Sequence, residues 1–390
     1  MINSLNKAKY KVDLVCRNED GLPVREQVND YFAIHRLPGG AGNVSRKILN
    51  FPAFFSPVWI GKILSTIRKS NSKLVIVRDL PLGPAALIAA KLTKLPVVLD
   101  MAENYPAMIK DTWKYRGPRW SDYAIRNPYL LKKLEEWLLP RLDAIWVVSE
   151  ASRKRVAGLL GDASQPVRVI GNTPRLDEMQ KLLPHPLAAK MSEHSGLVIL
   201  YTGGLEECRG LETVIKAMSA VARGSIDPML VIVGEGSSQE RLRSLSRELG
   251  VASRVLMPGW IDHAFLPALI SEADVCVVPH YVTEHTDTTL PNKIFDYMAL
   301  SKPVIASHAA SLSDIVNSYK CGLTYHDTDQ QELACALRKI NNADLRASLG
   351  LSGRAAVWSE FNWAQDEKTL LEAVGQLITS NKFTVSRRRC

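Results

Sequence analysis

Short runs that are apolar at nearly every position recur along this chain. They include LVIV at 74–77, PVVLD at 96–100, AIWVV at 144–148, VILY at 198–201, MLVIV at 229–233, VCVV at 275–278 and VIA at 304–306. A strand that is apolar on both faces must be covered on both faces, which is the situation of a parallel sheet between two layers of helix. Segments of helical spacing stand between the runs, at 82–92, 211–222, 239–249, 265–271 and 331–340. The alternation therefore predicts an α/β chain of doubly wound, Rossmann-like sheets. It is broken once, over 173–195, where Pro174, Pro184 and Pro186 interrupt any period. We read that stretch as a linker. At 390 residues, 46% of them hydrophobic, the chain has room for two such domains. The expected boundaries are 1–185 and 186–360, then a further helix over 361–380 and a basic tail over 381–390. Ligands of such sheets bind outside the carboxyl ends of the strands, so a cleft between the domains is the expected site.

The net charge is +9, which favours an acidic partner: nucleotide phosphates, an anionic lipid surface or nucleic acid. The six cysteines are scattered without a C-x-x-C pair, as expected for reduced thiols in a cytoplasmic protein. His280 and His285 have no evident third ligand, so no metal site is expected. No apolar run reaches the roughly 18–20 residues of a membrane span. The start, MINSLNKAKYKVDLVC, lacks the pattern of a signal peptide.

The stretch TTLPNKIFDYMALSKPVIA at 288–306 reads as a polar approach, an amphipathic helix and a buried strand. Pro291 suits a first helical turn. Free amides at Thr289, Leu290 and Asn292, with Lys293 beside them, make a helix-start anion site, and Asp296 follows on nearly the same face. An ordinary helix after a loop accounts for the same residues. YTGGLEECRGLE places Gly203 and Gly204 after a strand and Arg209 before a helix, which is either a phosphate-holding turn or a plain one. VIVGEGSSQERL repeats the device with Gly234 and Gly236. A dinucleotide fingerprint would want a third glycine at 239, where Gln239 stands. LDMAENYPAM puts Asp100, Glu103 and Asn104 just after a strand, as a hydroxyl-orienting group or as a turn and helix cap. Residues 110–133 interleave Lys110, Lys114, Arg116, Arg119, Arg126, Lys132 and Lys133 with Trp113, Tyr115, Trp120, Tyr123 and Tyr129. That pattern suits a lipid headgroup surface, an anionic acceptor, single-stranded nucleic acid or a solvated loop over an aromatic cluster. Phe51, Phe54, Phe55, Trp59 and Ile60 read as the core face of a helix over 46–68, ahead of the alternative that they extend the surface of 110–133.

Five of these motifs, YTGGLEECRGL, LVIVGEG, MPGW, SEADV and PNKIFDYMALSKPVIAS, occur in a fixed order over 198–360. In that order and spacing they resemble the retaining group 1 glycosyltransferases of GT-B fold. Among these, the chain looks most like the members that build bacterial surface polysaccharides on lipid carriers. In the first domain the resemblance rests on VRD, LDMAEN, WVVSE and the strand ending at Asn172. It implies two Rossmann-like domains and a C-terminal helix that returns to the first. It implies a nucleotide-sugar donor on the second domain, a glycan acceptor on the first, retention of anomeric configuration and no metal cofactor. Arg209 and Lys293 would neutralise the leaving diphosphate, assisted by the helix start over Thr289, Leu290, Pro291 and Asn292, and Thr288 would lie in the same donor-binding stretch. Asp296 would hold the ribose, and Gly203, Gly204, Gly234 and Gly236 would line the nucleotide. Residues 110–133 would meet the inner face of the cell membrane, and nucleic acid is not an expected partner.

The chain departs from the family pattern at four places. Thr288 replaces the first of two glutamates, leaving Asp287 or His285 to reach the sugar. Gly204 stands where an arginine is usual. Glu103 is the nearest stand-in for a first-domain histidine. Met1 to Lys9 match the end of the family's first helix, so the first strand of the first sheet is expected to be missing from this sequence, either because the true start lies upstream or because the sheet has lost its innermost strand. An epimerase or hydrolase of the same fold, or an inactive sugar-nucleotide-binding subunit, would carry the same motifs.

Overall fold

The computed structural model describes residues 1–18, 21–37, 53–224 and 226–386, with side chains to 380. Phe51, part of the helix expected over 46–68, and the tail from Arg387 lie outside them. The chain divides into two compact units: Met1–Thr112 with Gly117–Ile170 and Asp366–Cys390, and Gly171–Gln365 with Trp113–Arg116.

Among the described residues, unit 1 holds β1 (Val12–Cys16), β2 (Arg25–Asn29), β3 (Phe32–Arg36), β4 (Val75–Arg78), β5 (Val97–Met101), β6 (Ala144–Val147) and β7 (Val167–Val169). They form two sheets, β1-β3-β2 and β4-β5-β6-β7. The second is parallel throughout, and every residue of β5 and β6 is buried, as wholly apolar strands require. The first includes an antiparallel pair, β2 with β3. That hairpin corrects the expectation of parallel pairing alone. β2 reads REQVN, is exposed along its whole length and has no apolar face to betray it. The helix expected over 46–68 is, within the described residues, Pro57–Ser70, capped by Ser56, whose hydroxyl accepts from the Trp59 N–H. Trp59 is buried and Phe55 exposed, so only part of that aromatic cluster is core. The helix Trp363–Ser386 counts with unit 1 from Asp366 onward, and Leu370, Ala373 and Val374 are buried.

Unit 2 holds β8 (Leu197–Thr202), β9 (Pro228–Val233), β10 (Val255–Gly259), β11 (Val275–Val278), β12 (Val304–Ser307) and β13 (Gly322–Tyr325). All pair in parallel in the order β10-β9-β8-β11-β12-β13. Alternate residues of the same strands feed two separate cores. Val198, Leu200, Val231, Val233, Cys276 and Val278 enter one. Leu197, Ile199, Tyr201, Leu230, Ile232, Val275 and Val277 enter the other. The chain winds outward from β8 to one edge, returns, and winds from β11 to the other. The order therefore reverses between β8 and β11, which opens a crevice at their carboxyl ends.

Residues 173–195, the expected linker, are counted with unit 2. They carry the short helices Leu176–Met179 and Pro186–Ser192, and Met179, Ala188 and Met191 are buried in the core of unit 2. Among the described residues no helix is long and apolar enough to cross a membrane.

Candidate functional site

The crevice is built from the loops that leave β8, β9, β10 and β11. Backbone hydrogen bonds tie them together: Gly203 donates to Val233 O (2.9 Å), Leu205 to Glu235 O (3.0 Å) and Gly234 to Gly259 O (2.8 Å). Two glycines are dictated by this arrangement. Gly203 has φ +130°, and a Cβ there would stand 2.6 Å from Lys293 Nζ. Gly234 has φ +137°, and a Cβ would collide with the Gly203 carbonyl oxygen. Side chains rarely adopt such backbone angles. Gly204, by contrast, has nothing within 4 Å of a would-be Cβ, so it leaves open space beside the crevice.

Two cations face this space. Lys293 opens the helix Lys293–Ala299, and its Nζ lies 3.9 Å from the centroid of the Tyr201 ring. The Tyr201 hydroxyl donates to the Gly204 carbonyl at 2.8 Å, which fixes the ring. Arg209 comes from the turn after β8, and its Nη1 lies 3.5 Å from His280 Nδ1 and 3.4 Å from Nε2. Neither cation has an ion-pair partner among the described residues, and Arg209 Nε is buried without a hydrogen bond. Burial, and then the charge of Arg209, hold the Lys293 ammonium well below the usual lysine range, against a smaller pull from Asp296. Burial together with Arg209, Lys293 and His285 keeps the His280 imidazole neutral. Uncompensated buried cations are unfavourable in an empty site and become favourable when an anion enters.

Asp296 lies one turn after Lys293. Burial pushes its carboxyl up to about 6, opposed by His263 and Lys293. Its oxygens have no hydrogen-bond partner among the described residues. Lys293 and Asp296 are both surrounded by protein yet keep part of their surface open to solvent, as recessed ligand-facing groups do. His263, in the turn after β10, was not legible as a site residue, because it approaches Asp296 only through the fold.

The approach to this helix differs from the sequence expectation. Glu284–Thr288 is itself a helix, closed at its start by a capping box between Thr283 and Thr286. The Thr288 hydroxyl donates to Glu284 O (2.9 Å), and the Thr289 hydroxyl and amide both donate to His285 O (2.8 and 3.0 Å). The Thr289 amide is therefore not free. Pro291 precedes the helix rather than opening it: Asn292 is the N-cap, and Pro291 supplies a carbonyl to Ile294. Leu290 packs against the core of unit 2. Asp287, a candidate to reach the sugar, accepts from the Ala310 N–H at 2.8 Å.

Gly203, Gly204, Gly234, Arg209, Lys293 and Asp296 thus gather at the carboxyl ends of β8, β9 and β11 in unit 2, and Gly236, in the turn after β9, packs against the Leu205 backbone. Glu103 belongs to unit 1, half-buried beside Arg78 and Asp79. There Asp100, at the end of β5, binds Arg78 at 2.5 Å, while Asp79 at φ +58° accepts from the Ala102 N–H. Burial raises both Asp79 and Asp100 above the usual carboxylate range. Asn104 is a helix cap, its side chain accepting from the Ala107 N–H.

Comparison with known proteins agrees with this architecture. Residues 196–342 match the family described as Glycosyl transferases group 1, and residues 1–173 match the Glycosyl transferase 4-like domain. A glycogen synthase of Mycobacterium tuberculosis is 24% identical over 322 residues, covering 82% of this chain and 72% of that protein. A GDP-mannose-dependent alpha-(1-6)-phosphatidylinositol monomannoside mannosyltransferase of Mycolicibacterium smegmatis is 29% identical over 231 residues, covering 57% and 58%. Among solved structures, the sucrose-phosphate synthase of Thermosynechococcus elongatus superposes with a TM-score of 0.78 at 21% identity, over 97% of this chain and 92% of that one. HepE of Anabaena, solved with UDP, superposes with a TM-score of 0.70 at 16% identity, over 94% and 100%. With a parallel sheet in unit 2 whose order reverses between β8 and β11, glycine-lined strand ends and these matches along both units, the chain carries group 1 glycosyltransferase domains and has the GT-B fold.

Proposed function

We propose that this protein transfers a sugar from a nucleotide-sugar donor, held by unit 2, to a lipid-linked glycan acceptor, with retention of anomeric configuration and without a metal ion. The observation that carries the reading is the pair of uncompensated cations, Arg209 and Lys293, beside a glycine-lined opening where the strand order reverses. In the reaction the bond between the sugar C1 and the donor phosphate oxygen breaks, and a bond from C1 to the acceptor oxygen forms on the same face. The acceptor proton passes to the departing phosphate. Negative charge grows on the diphosphate, where the two cations stabilise it. Asp296 accepts hydrogen bonds from the ribose hydroxyls, and Gly234 and Gly236 let the nucleotide approach the backbone. Binding of UDP by the Anabaena neighbour supports the donor class.

The acceptor reading rests on unit 1. Trp120 is 93% exposed and Tyr129 76%, and Tyr123, Leu130 and Phe55 are exposed as well. Lys132 and Lys133 are exposed on the same helix, Pro128–Leu138, as Tyr129 and Leu130. Amphipathic aromatics amid basic residues suit an anionic membrane surface, and so a place at the inner face of the cell membrane in surface polysaccharide synthesis. The phosphatidylinositol monomannoside named for the Mycolicibacterium relative is an acceptor of this kind.

Thermal shift against uridine, guanosine, adenosine and thymidine diphosphate sugars tests the donor site. One of them is expected to raise the melting temperature, because a ligand that binds only the native state stabilises it. Lys293→Ala and Asp296→Ala are expected to remain folded, lose that shift and lose transfer. Full transfer by either variant refutes the assignment.

A further inference from the structure

We propose that His280 is a positioning residue: its imidazole ring is a flat platform for the Arg209 guanidinium, as the Tyr201 ring is for Lys293. The inference rests on the donor reading above and assigns a role to a residue outside the diphosphate contacts themselves.

The geometry of the pair carries it. Arg209 Nη1 is almost equidistant from the two ring nitrogens, at 3.5 and 3.4 Å. A hydrogen bond to a ring lone pair would bring it close to one nitrogen and leave the other distant. An in-plane approach midway between the nitrogens would press Nη1 against Cε1, which lies between them. The amino group therefore lies over the face of the ring. His280 is only 3% exposed, so water does not compete for that face.

The backbone sets this stacking. The Tyr281 N–H donates to Cys208 O at 3.0 Å, joining the residue before Arg209 to the residue after His280. Gly210 then meets Pro279 so closely that a Cβ would collide with the Pro279 carbonyl oxygen. The turn after β8 and the end of β11 are thus clamped on both sides of the pair.

A ring does what a carboxylate would not. Aspartate or glutamate at 280 would orient Arg209 but also neutralise it, leaving less charge for the ligand. An aromatic face attracts a guanidinium without cancelling its charge. The groups facing the ring are Arg209 from the turn after β8, Lys293 from its helix and His285 from Glu284–Thr288, and all three oppose a proton on it. The imidazole stays neutral and adds no third repelling charge.

The test uses the full chain, calorimetry with inorganic pyrophosphate and with UDP, and two variants of similar side-chain bulk. His280→Leu keeps the apolar volume but removes the flat face. It is expected to weaken both ligands by roughly tenfold, the scale of one partly desolvated cation–ring contact. His280→Phe restores the face and is expected to bind within about threefold of wild type. In an Arg209→Ala background, His280→Leu is expected to have no further effect, whereas a merely structural role would weaken binding there too. Wild-type affinity in His280→Leu, equal loss in His280→Phe, or a further loss in the Arg209→Ala background overturns the platform. A wild-type protein that binds neither ligand overturns the donor reading itself, and the platform with it.

Discussion

At the scale of single residues, the site carries groups whose charges the empty protein does not balance. Asp296 shows the consequence most directly. Its carboxyl is raised to about 6, so the folded protein keeps a proton that the unfolded chain releases near the ordinary carboxylate value of about 4. Stability is therefore lost as the pH rises from about 4 to about 6, and the full penalty is present above that window. We predict that Asp296→Asn melts at a higher temperature than wild type at pH 7 and at the same temperature below pH ~4. Melting curves across that range check it, and a gap that persists at low pH contradicts the assignment. Lys293 behaves in the opposite sense, because burial lowers it. Lys293→Met is expected to raise the melting temperature in the absence of ligand by about 2–4 °C, the shift that relief of roughly 1 kcal/mol produces in a domain of this size. The gap narrows toward alkaline pH, where deprotonation of Lys293 relieves the same burden. Both substitutions gain stability at the expense of donor binding, as is common for groups that wait for a ligand.

At the scale of elements, the loops after β8 and β9 are placed by contacts that tolerate little change. Gly203 combines a φ of +130° with a Cβ direction that points at Lys293 Nζ, whereas Gly204 points into open space. Gly203→Ala is therefore expected to lose nucleotide binding by at least about tenfold, through backbone strain and displacement of Lys293. Gly204→Ala is expected to fold and bind within about threefold of wild type. Equal behaviour of the two variants in the same calorimetric titration argues against this geometry. The helix of Lys293 was legible beforehand from the recurrence of Ile294, Phe295, Met298 and Ala299, all of which are buried. Its start was not. Pro291 fits a first helical turn, but Glu284–Thr288 uses the Thr289 amide and moves the N-cap to Asn292. Local propensity does not register a preceding helix that takes up the donors a helix start would leave free.

At the scale of the whole molecule, the chain presents charge and aromatic surface on unit 1 and a cationic crevice on unit 2. The membrane reading predicts that the full chain sediments with vesicles rich in anionic lipid, less so as salt rises, and little with neutral vesicles. Trp120→Ala combined with Lys132→Gln and Lys133→Gln is expected to weaken that binding by about tenfold or more, at roughly 1 kcal/mol per basic residue near the surface. Unchanged sedimentation refutes the surface. The sequence by itself determined the fold class. A strand apolar at every position can be buried only between two layers, and β5, β6 and β8 are buried along their whole length. It also marked Gly203, Gly234, Arg209, Lys293 and Asp296, because turn glycines and charges near strand ends are local signals. It did not show β2, a polar hairpin strand whose partner supplies its hydrogen bonds, nor that Met179 and Met191 are core. Only the tertiary structure decided that His280 lies under Arg209, 71 residues away, and that His263 approaches Asp296. Those relations depend on how neighbouring strands of a parallel sheet bring their ends together. That placement is a property of the assembled sheet, and no spacing along the chain encodes it.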